Sequence, residues 1–170
     1  MQNHFELFHL PLTFAIDSKA LDDAYHDVQN QVHPDKFSTA GDAEKRVAMQ
    51  WATRANEAYQ TLKHPLKRAI YLCQLNGIDL QGESSTAMPP DFLMQQMAWR
   101  EALDDAHAMR DEAALSGLEA TLRQNRMDEI AQLETLFDQH DFVAAAMAAR
   151  RLMFIEKFGE EVANAYDEPA

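Results

Sequence analysis

Apolar residues recur every three or four positions along most of the chain, which is the period of an amphipathic α-helix. One such stripe lies in residues 18–32 and is formed by Leu21, Tyr25, Val28 and Val32. A second runs from about Asp42 to Lys63 and is formed by Val47, Trp51, Ala55, Ala58 and Leu62. Ala, Leu, Met, Glu and Gln are abundant and glycines are few, which favours helices over strands. The pattern therefore predicts an all-α protein.

The two N-terminal helices are separated by His33, Pro34, Asp35 and Lys36, called here the HPD loop. Pro34 disfavours the α conformation for His33 and has no N–H group to donate, so the first helix should stop at His33. The loop would then expose an imidazole, a carboxylate and an ammonium group. Exposed loop residues of these types often serve recognition. The alternative is a helix stop followed by a solvated turn.

A third N-terminal helix is predicted from Pro65, a favoured first-turn residue, to about Asn76 and Gly77. Residues 77–90 read GIDLQGESSTAMPP, a composition typical of a linker. The alternative is a long loop inside one domain. Since a connection of this length more often marks a boundary, we expect one domain at 1–76, a linker at 77–90 and a second domain at 91–170.

The second domain contains three long helical segments, at about 91–109, 112–137 and 142–165. Asp141 stands where an N-cap of the last segment is expected. Short connections between long helices force neighbouring helices to reverse direction. The sequence therefore predicts an antiparallel three-helix bundle.

The first helix of this bundle has apolar residues on two sides. At about 100° per residue, one side gathers Phe92, Gln96, Trp99, Leu103 and Ala106, and the other gathers Leu93, Met94 and Met97 beside Glu101, Asp104 and Asp105. In the last helix the predicted core stripe is Phe142, Ala146, Ala149 and Met153, with Phe154 about 100° away. Burial on both sides, or methionines filling core gaps, is the alternative. An exposed apolar patch rimmed by acids instead marks a binding surface.

The chain carries 28 acidic and 15 basic residues, a net charge of −13. This charge disfavours nucleic acid and anionic membranes as partners, because both require a cationic surface. No apolar run approaches the length of a membrane span, and the N-terminus lacks the pattern of a signal peptide, so we expect a cytoplasmic protein. The single cysteine, Cys73, falls in an apolar pattern and is predicted to be a core residue.

Catalytic and metal-binding motifs are missing from the sequence. The seven histidines form no HExxH motif, and there is no CxxC pair, glycine-rich phosphate loop or GxSxG elbow. Asp22 and His26 have helical spacing, but a single pair of this kind is explained by a solvated helix face. We therefore expect neither an enzyme nor a resident cofactor or metal.

The HPD loop between two helices, followed by EAYQTLKHPLKRAIY at residues 57–71, resembles a J-domain. Together with FELF at residues 5–8 and FLMQQM at residues 92–97, it resembles the HscB family, J-type co-chaperones of iron–sulfur cluster assembly, over the whole chain. The resemblance implies that the HPD loop docks on the DnaK-type chaperone HscA and accelerates its ATP hydrolysis. It also implies that the scaffold protein IscU is held by Leu93, Met94, Met97, Glu101, Asp105 and Phe154. A general J-domain co-chaperone with another chaperone and client is the alternative.

The sequence departs from this family pattern at two places. J-domains usually carry several Lys or Arg residues on the helix before the HPD loop, whereas here none follows Lys19 and only Lys36 and a protonated His26 remain nearby. Ala98 stands where relatives often have a carboxylate. The first departure predicts poor binding to a generic DnaK and leaves a dedicated or transient partner.

Overall fold

The computed structural model describes residues 2–80 and 88–169, and within these ranges it contains helices and no strand. The prediction of an all-α protein is confirmed. The α-helices are α1 (His4–Leu7), α2 (Ser18–Gln31), α3 (Asp42–Lys63), α4 (Pro65–Leu75), α5 (Pro90–Ala108), α6 (Glu112–Asp138) and α7 (Phe142–Ala165), and a short 3₁₀ helix spans Pro34–Phe37.

The chain divides into two compact units, Met1–Leu72 and Cys73–Ala170. The division falls inside α4, although the composition of the sequence suggests a boundary at residues 77–90. Residues 81–87 of that predicted linker lie outside the described residues. Cys73 is buried, and burial raises the pKa of its thiol to about 11, as expected of a core residue rather than a reactive thiolate.

An antiparallel hairpin of α2 and α3 forms most of the first unit, and α1 packs against α3. The rings of Tyr25 and Tyr59 stack with centroids 4.1 Å apart. The Tyr59 hydroxyl donates to Asp22 over 2.7 Å, and the Tyr25 hydroxyl donates to Asn56 over 3.2 Å. Both hydrogen bonds follow the same antiparallel register. Extended along the two helices, this register places Gln31 of α2 opposite residue 50 of α3.

The predicted bounds of α3 are confirmed, but its apolar stripe is only partly buried. Ala55, Ala58 and Leu62 are buried, whereas Val47 is 52% exposed and Trp51 is 36% exposed. The apolar face of α3 therefore extends past its buried part. Because α3 has 22 residues and α2 only 14, the register leaves the first two turns of α3 beyond the end of α2.

Arg68 fixes the start of α4 against the rest of the first unit. Its side chain is buried, and its guanidinium donates to the backbone oxygens of Phe14 and Leu62, both over 2.6 Å. The group also lies 4.6 Å from the centre of the Phe14 ring. Burial lowers the pKa of Arg68 to about 10, but the group stays charged at neutral pH.

The second unit contains the predicted three-helix bundle. Its core combines residues from all three helices, namely Trp99, Leu103, Ala106, Leu115, Leu118, Leu122, Ile155, Phe158, Val162 and Ala165. The Asp111 and Asp141 side chains cap α6 and α7 by accepting from the N–H groups of Ala114 and Ala144. Arg126 pairs with Glu156 and Arg151 with Glu129, which ties α6 to α7.

Candidate partner-binding sites

The HPD loop lies at the tip of the α2–α3 hairpin. Helix α2 ends at Gln31, two residues before the predicted stop, and His33 takes extended backbone angles of −60° and 137°. Such angles are expected before a proline. Pro34 then opens the 3₁₀ helix with its restricted φ. The loop is therefore a single turn of defined geometry whose four residues, His33, Pro34, Asp35 and Lys36, are all exposed.

Local hydrogen bonds hold this turn. The Nδ1 atom of His33 accepts from the Asp35 N–H group over 3.2 Å, and the His33 carbonyl accepts from the Lys36 N–H group over 3.0 Å. The Ser38 hydroxyl donates to the Asp35 carbonyl over 3.3 Å. The same Nδ1 atom also lies 3.6 Å from a carboxylate oxygen of Asp35. His33 and Pro34 thus shape the turn and leave the Asp35 carboxylate, 92% exposed, available to a partner.

Two helices with different charges flank the HPD loop. The exposed residues of α2 include Asp22, Asp23 and Asp27, and its one cation, Lys19, pairs with Asp23 over 2.8 Å. On the other side, Lys45 and Arg46 are exposed in the first turns of α3. Reading the sequence for cations only on α2 and in the loop misses these two residues. Their position directly after the loop is the signal that would have revealed them.

The second candidate site is the outer face of α5, defined by Leu93, Met94, Met97, Glu101 and Asp105. The three apolar side chains are 45%, 69% and 71% exposed, and the two carboxylates are exposed as well. Trp99, Leu103 and Ala106 on the opposite side are buried in the bundle. The expectation that this helix has one core side and one exposed apolar side is confirmed.

Phe154, the remaining residue of the predicted client site, is not on α5 but on α7. Its ring stacks on Trp99 and Phe158, with centroids 6.3 and 5.6 Å away, and meets the edge of Phe92 at 5.8 Å. Phe154 is half-buried and packs against the edge of the bundle core, so its part in client binding stays a prediction. In a three-helix bundle each helix borders two neighbours, so α7 buries a second stripe besides the predicted one. On the predicted stripe Ala146 and Ala149 are buried, whereas Phe142 and Met153 are only half-buried.

Within the described residues, no three His, Cys, Asp or Glu side chains converge in a way that could hold a metal ion. In the same residues, no helix has an apolar stretch sufficient to cross a bilayer. The chemistry that the two sites offer is recognition, through one exposed carboxylate in a defined turn and one exposed apolar helix face.

Known proteins match this chain over nearly its whole length. A family model described as the HSCB C-terminal oligomerisation domain matches residues 88–163. A co-chaperone HscB homologue from Burkholderia vietnamiensis is 59% identical over 160 residues, which is 94% of this chain and 91% of the relative. The homologue from Burkholderia multivorans is 58% identical over the same shares.

Solved structures agree with this relationship. The chaperone HscB from Vibrio cholerae superimposes with a TM-score of 0.83 at 40% identity and covers 98% of both chains. Human co-chaperone HscB gives a TM-score of 0.89 at 28% identity, over 96% of this chain and 81% of the human one.

The helical hairpin with an exposed HPD loop, followed by a helical bundle, defines a J-type co-chaperone rather than an enzyme. Identity and coverage identify the family, and the chain belongs to the HscB co-chaperones.

Proposed function

We propose that this chain stimulates ATP hydrolysis by a DnaK-type chaperone, HscA, and delivers the scaffold protein IscU to it during iron–sulfur cluster assembly in the cytoplasm. The observation that carries the proposal is the HPD loop at the hairpin tip, a turn fixed by its own hydrogen bonds and exposed at all four residues. In this proposal residues 1–76 act on the chaperone and residues 91–170 hold the client.

The HPD loop acts through preorganisation. Because Pro34 and the His33 cap already fix the turn, little conformational entropy is lost when a partner binds it. The Asp35 carboxylate can then accept charge-assisted hydrogen bonds from an arginine of the ATPase domain. Lys36, next to it, adds a cation that can meet an acid on the same partner.

The outer face of α5 binds the client through apolar area. Leu93, Met94 and Met97 lose water when the scaffold protein covers them, while Glu101 and Asp105 select a partner with basic groups around an apolar centre. Phe154 of α7, half-buried where its ring packs against Phe92 and Trp99, completes the proposed client site. A different chaperone and client remain the second candidate, because the acidic α2 departs from the usual J-domain. A pull-down from the native cytosol separates the two candidates by whether HscA and IscU are captured.

The direct test replaces Asp35 with Asn and measures steady-state ATP turnover by HscA with and without the co-chaperone. We expect stimulation to be lost while the circular dichroism spectrum is unchanged, because an exposed loop side chain contributes little to stability. Asp128→Asn, an exposed carboxylate on α6, is the matched control and should stimulate normally. Full stimulation by the Asp35→Asn variant would refute the proposal.

A further inference from the structure

The sulfur-containing side chains of this protein differ in their exposure to solvent. Cys73, the one cysteine of the sequence, is buried, and burial raises the pKa of its thiol to about 11, so little reactive thiolate is present at neutral pH. The chain also contains nine methionines. Among the described residues, those that are exposed, by between 56% and 79%, are Met49, Met94, Met97, Met109 and Met127. An oxidant in solution therefore meets thioethers before it meets a thiol.

Two of these exposed methionines share the outer face of α5. Met94 and Met97 are three residues apart on the helix, so their side chains stand on the same side, beside Leu93. They are 69% and 71% exposed, compared with 45% for Leu93. The other three exposed methionines lie far from one another in the sequence. The pair on α5 therefore brings two accessible sulfur atoms to one candidate binding surface.

A thioether reacts with hydrogen peroxide by transfer of one oxygen atom. An S–O bond forms as the O–O bond of the peroxide breaks, and the sulfur is oxidised by two electrons. The other peroxide oxygen takes up the proton of the transferred oxygen and leaves as water. The thioether needs no deprotonation, and peroxide is uncharged at neutral pH, so the net charge of −13 does not hinder the reaction. Access to the sulfur is what the reaction requires, and Met94 and Met97 provide it.

Oxidation changes what the outer face of α5 can bind. A sulfoxide is polar, and its oxygen accepts hydrogen bonds, whereas the thioether is apolar. A client that covers this face through apolar contacts leaves the new oxygen without a donor, and burying an unpaired polar group is unfavourable. Trp99, Leu103 and Ala106 lie buried on the opposite side of the helix, so the modification does not enter the bundle core. The fold should therefore survive the loss of the binding surface.

We propose that Met94 and Met97 form an oxidation-sensitive modification site, at which hydrogen peroxide produces methionine sulfoxides that release the client. The inference rests on the proposed function, since it concerns the regulation of the same surface. Leu93 and Phe154 contain no sulfur, so the sensitivity of the apolar part of the site resides in the two methionines. Methionine sulfoxide reductases restore the thioether, which makes the modification reversible.

The test oxidises the full chain with hydrogen peroxide, removes the peroxide, and then measures the affinity for IscU by calorimetric titration, so that IscU itself is never oxidised. Mass spectrometry of the digested chain gives the extent of oxidation at each methionine. We expect the affinity to fall about tenfold or more once Met94 and Met97 are sulfoxides, with the helical circular dichroism spectrum unchanged. Treatment with methionine sulfoxide reductase should then restore the affinity.

Two leucine variants assign the effect to particular sulfur atoms, and each variant is compared with itself before and after oxidation. Met49→Leu with Met109→Leu and Met127→Leu keeps the pair on α5 and should lose affinity on oxidation like the wild type. Met94→Leu with Met97→Leu removes the pair, with side chains of similar volume in its place, and its affinity should change less than about twofold on oxidation.

Three results would overturn the inference. The first is a variant with leucine at positions 49, 109 and 127 that keeps its affinity while Met94 and Met97 are fully oxidised. The second is a loss on oxidation as large in the Met94→Leu, Met97→Leu variant as in the wild type, and the third is a loss of affinity accompanied by unfolding. These results leave the proposed function intact, whereas untreated wild type that does not bind IscU would refute its client part and the inference together.

Discussion

The two candidate binding sites of this protein are built in opposite ways. The HPD loop is a small polar turn whose value lies in backbone geometry, set by one proline and one histidine cap. The outer face of α5 has ordinary helical backbone, and its value lies in the apolar area of three side chains that the bundle leaves exposed. The first site should therefore be sensitive to single polar substitutions, whereas the second should respond to the amount of apolar surface removed.

The largest effect on stability is expected at Phe154, which is half-buried and packs against the bundle core. Phe154→Ala removes a ring that stacks on Trp99 and Phe158, so the free energy of unfolding should fall by about 2–4 kcal/mol. Urea unfolding followed by circular dichroism measures this change. A loss below about 0.5 kcal/mol, the range typical of surface substitutions, would show that the Phe154 ring does not contribute to the packing of the bundle core.

The next effect concerns the outer face of α5 itself. Replacing Leu93, Met94 and Met97 with alanine should weaken IscU binding tenfold or much more, since each apolar side chain buried in an interface contributes about 1.5–3 kcal/mol. The stability of the variant should change little, because these side chains are exposed. Calorimetric titration of IscU measures the affinity.

A matched control for this variant exists in the same unit. Met109, Met127 and Val143 are 79%, 56% and 77% exposed and stand outside α5, at its C-cap, on α6 and on α7. Their triple alanine replacement removes comparable apolar surface and should bind IscU like the wild type. If both triple variants lose affinity equally, the client site is not confined to the outer face of α5.

These outcomes separate what the sequence could predict from what it could not. Helix bounds were predictable because Pro34, Pro65 and Asp141 mark them locally, and the bounds of α3 are those that the pattern predicts. The exposure of Val47 was not, because it depends on the difference in length between α2 and α3 and on their register. The packing of the half-buried Phe154 against the core likewise depends on where α5 packs. Periodicity shows that a residue faces a side of its helix, but it does not show what covers that side.

A smaller, stabilising effect is expected at the turn between α5 and α6. Arg110 has a φ of 50°, the left-handed conformation in which glycine is favoured, and the N–H group of Asp111 donates back to Ala106 there. Arg110→Gly should raise the free energy of unfolding by about 0.5–1 kcal/mol. Met109→Gly, one residue earlier at a φ of −92°, is the control and should give no gain. Equal effects of both substitutions in thermal unfolding would contradict this reading of the turn.

The smallest expected effect concerns the stability of the first unit at acidic pH. His4 stacks on Tyr71 with centroids 4.3 Å apart, and burial lowers its pKa below the ordinary value of 6.5. The folded state therefore binds fewer protons than the unfolded state, so this contribution is present above pH 6.5 and is lost as the pH falls below it. His4→Phe keeps the stacking without the titration. Its melting temperature should fall less than that of the wild type between pH 7 and pH 5, and equal falls would exclude His4 as the cause.

The central claim is that the two sites work in one chain, the HPD loop on the chaperone and the outer face of α5 on the client. The most direct measurement is HscA turnover in the presence of IscU with two defective variants mixed, Asp35→Asn and the triple alanine replacement of Leu93, Met94 and Met97. The account predicts that the mixture fails to restore the combined stimulation given by the wild type, because neither chain can bring the client and the loop to the same chaperone. Restoration to the wild-type level by the mixture would contradict it.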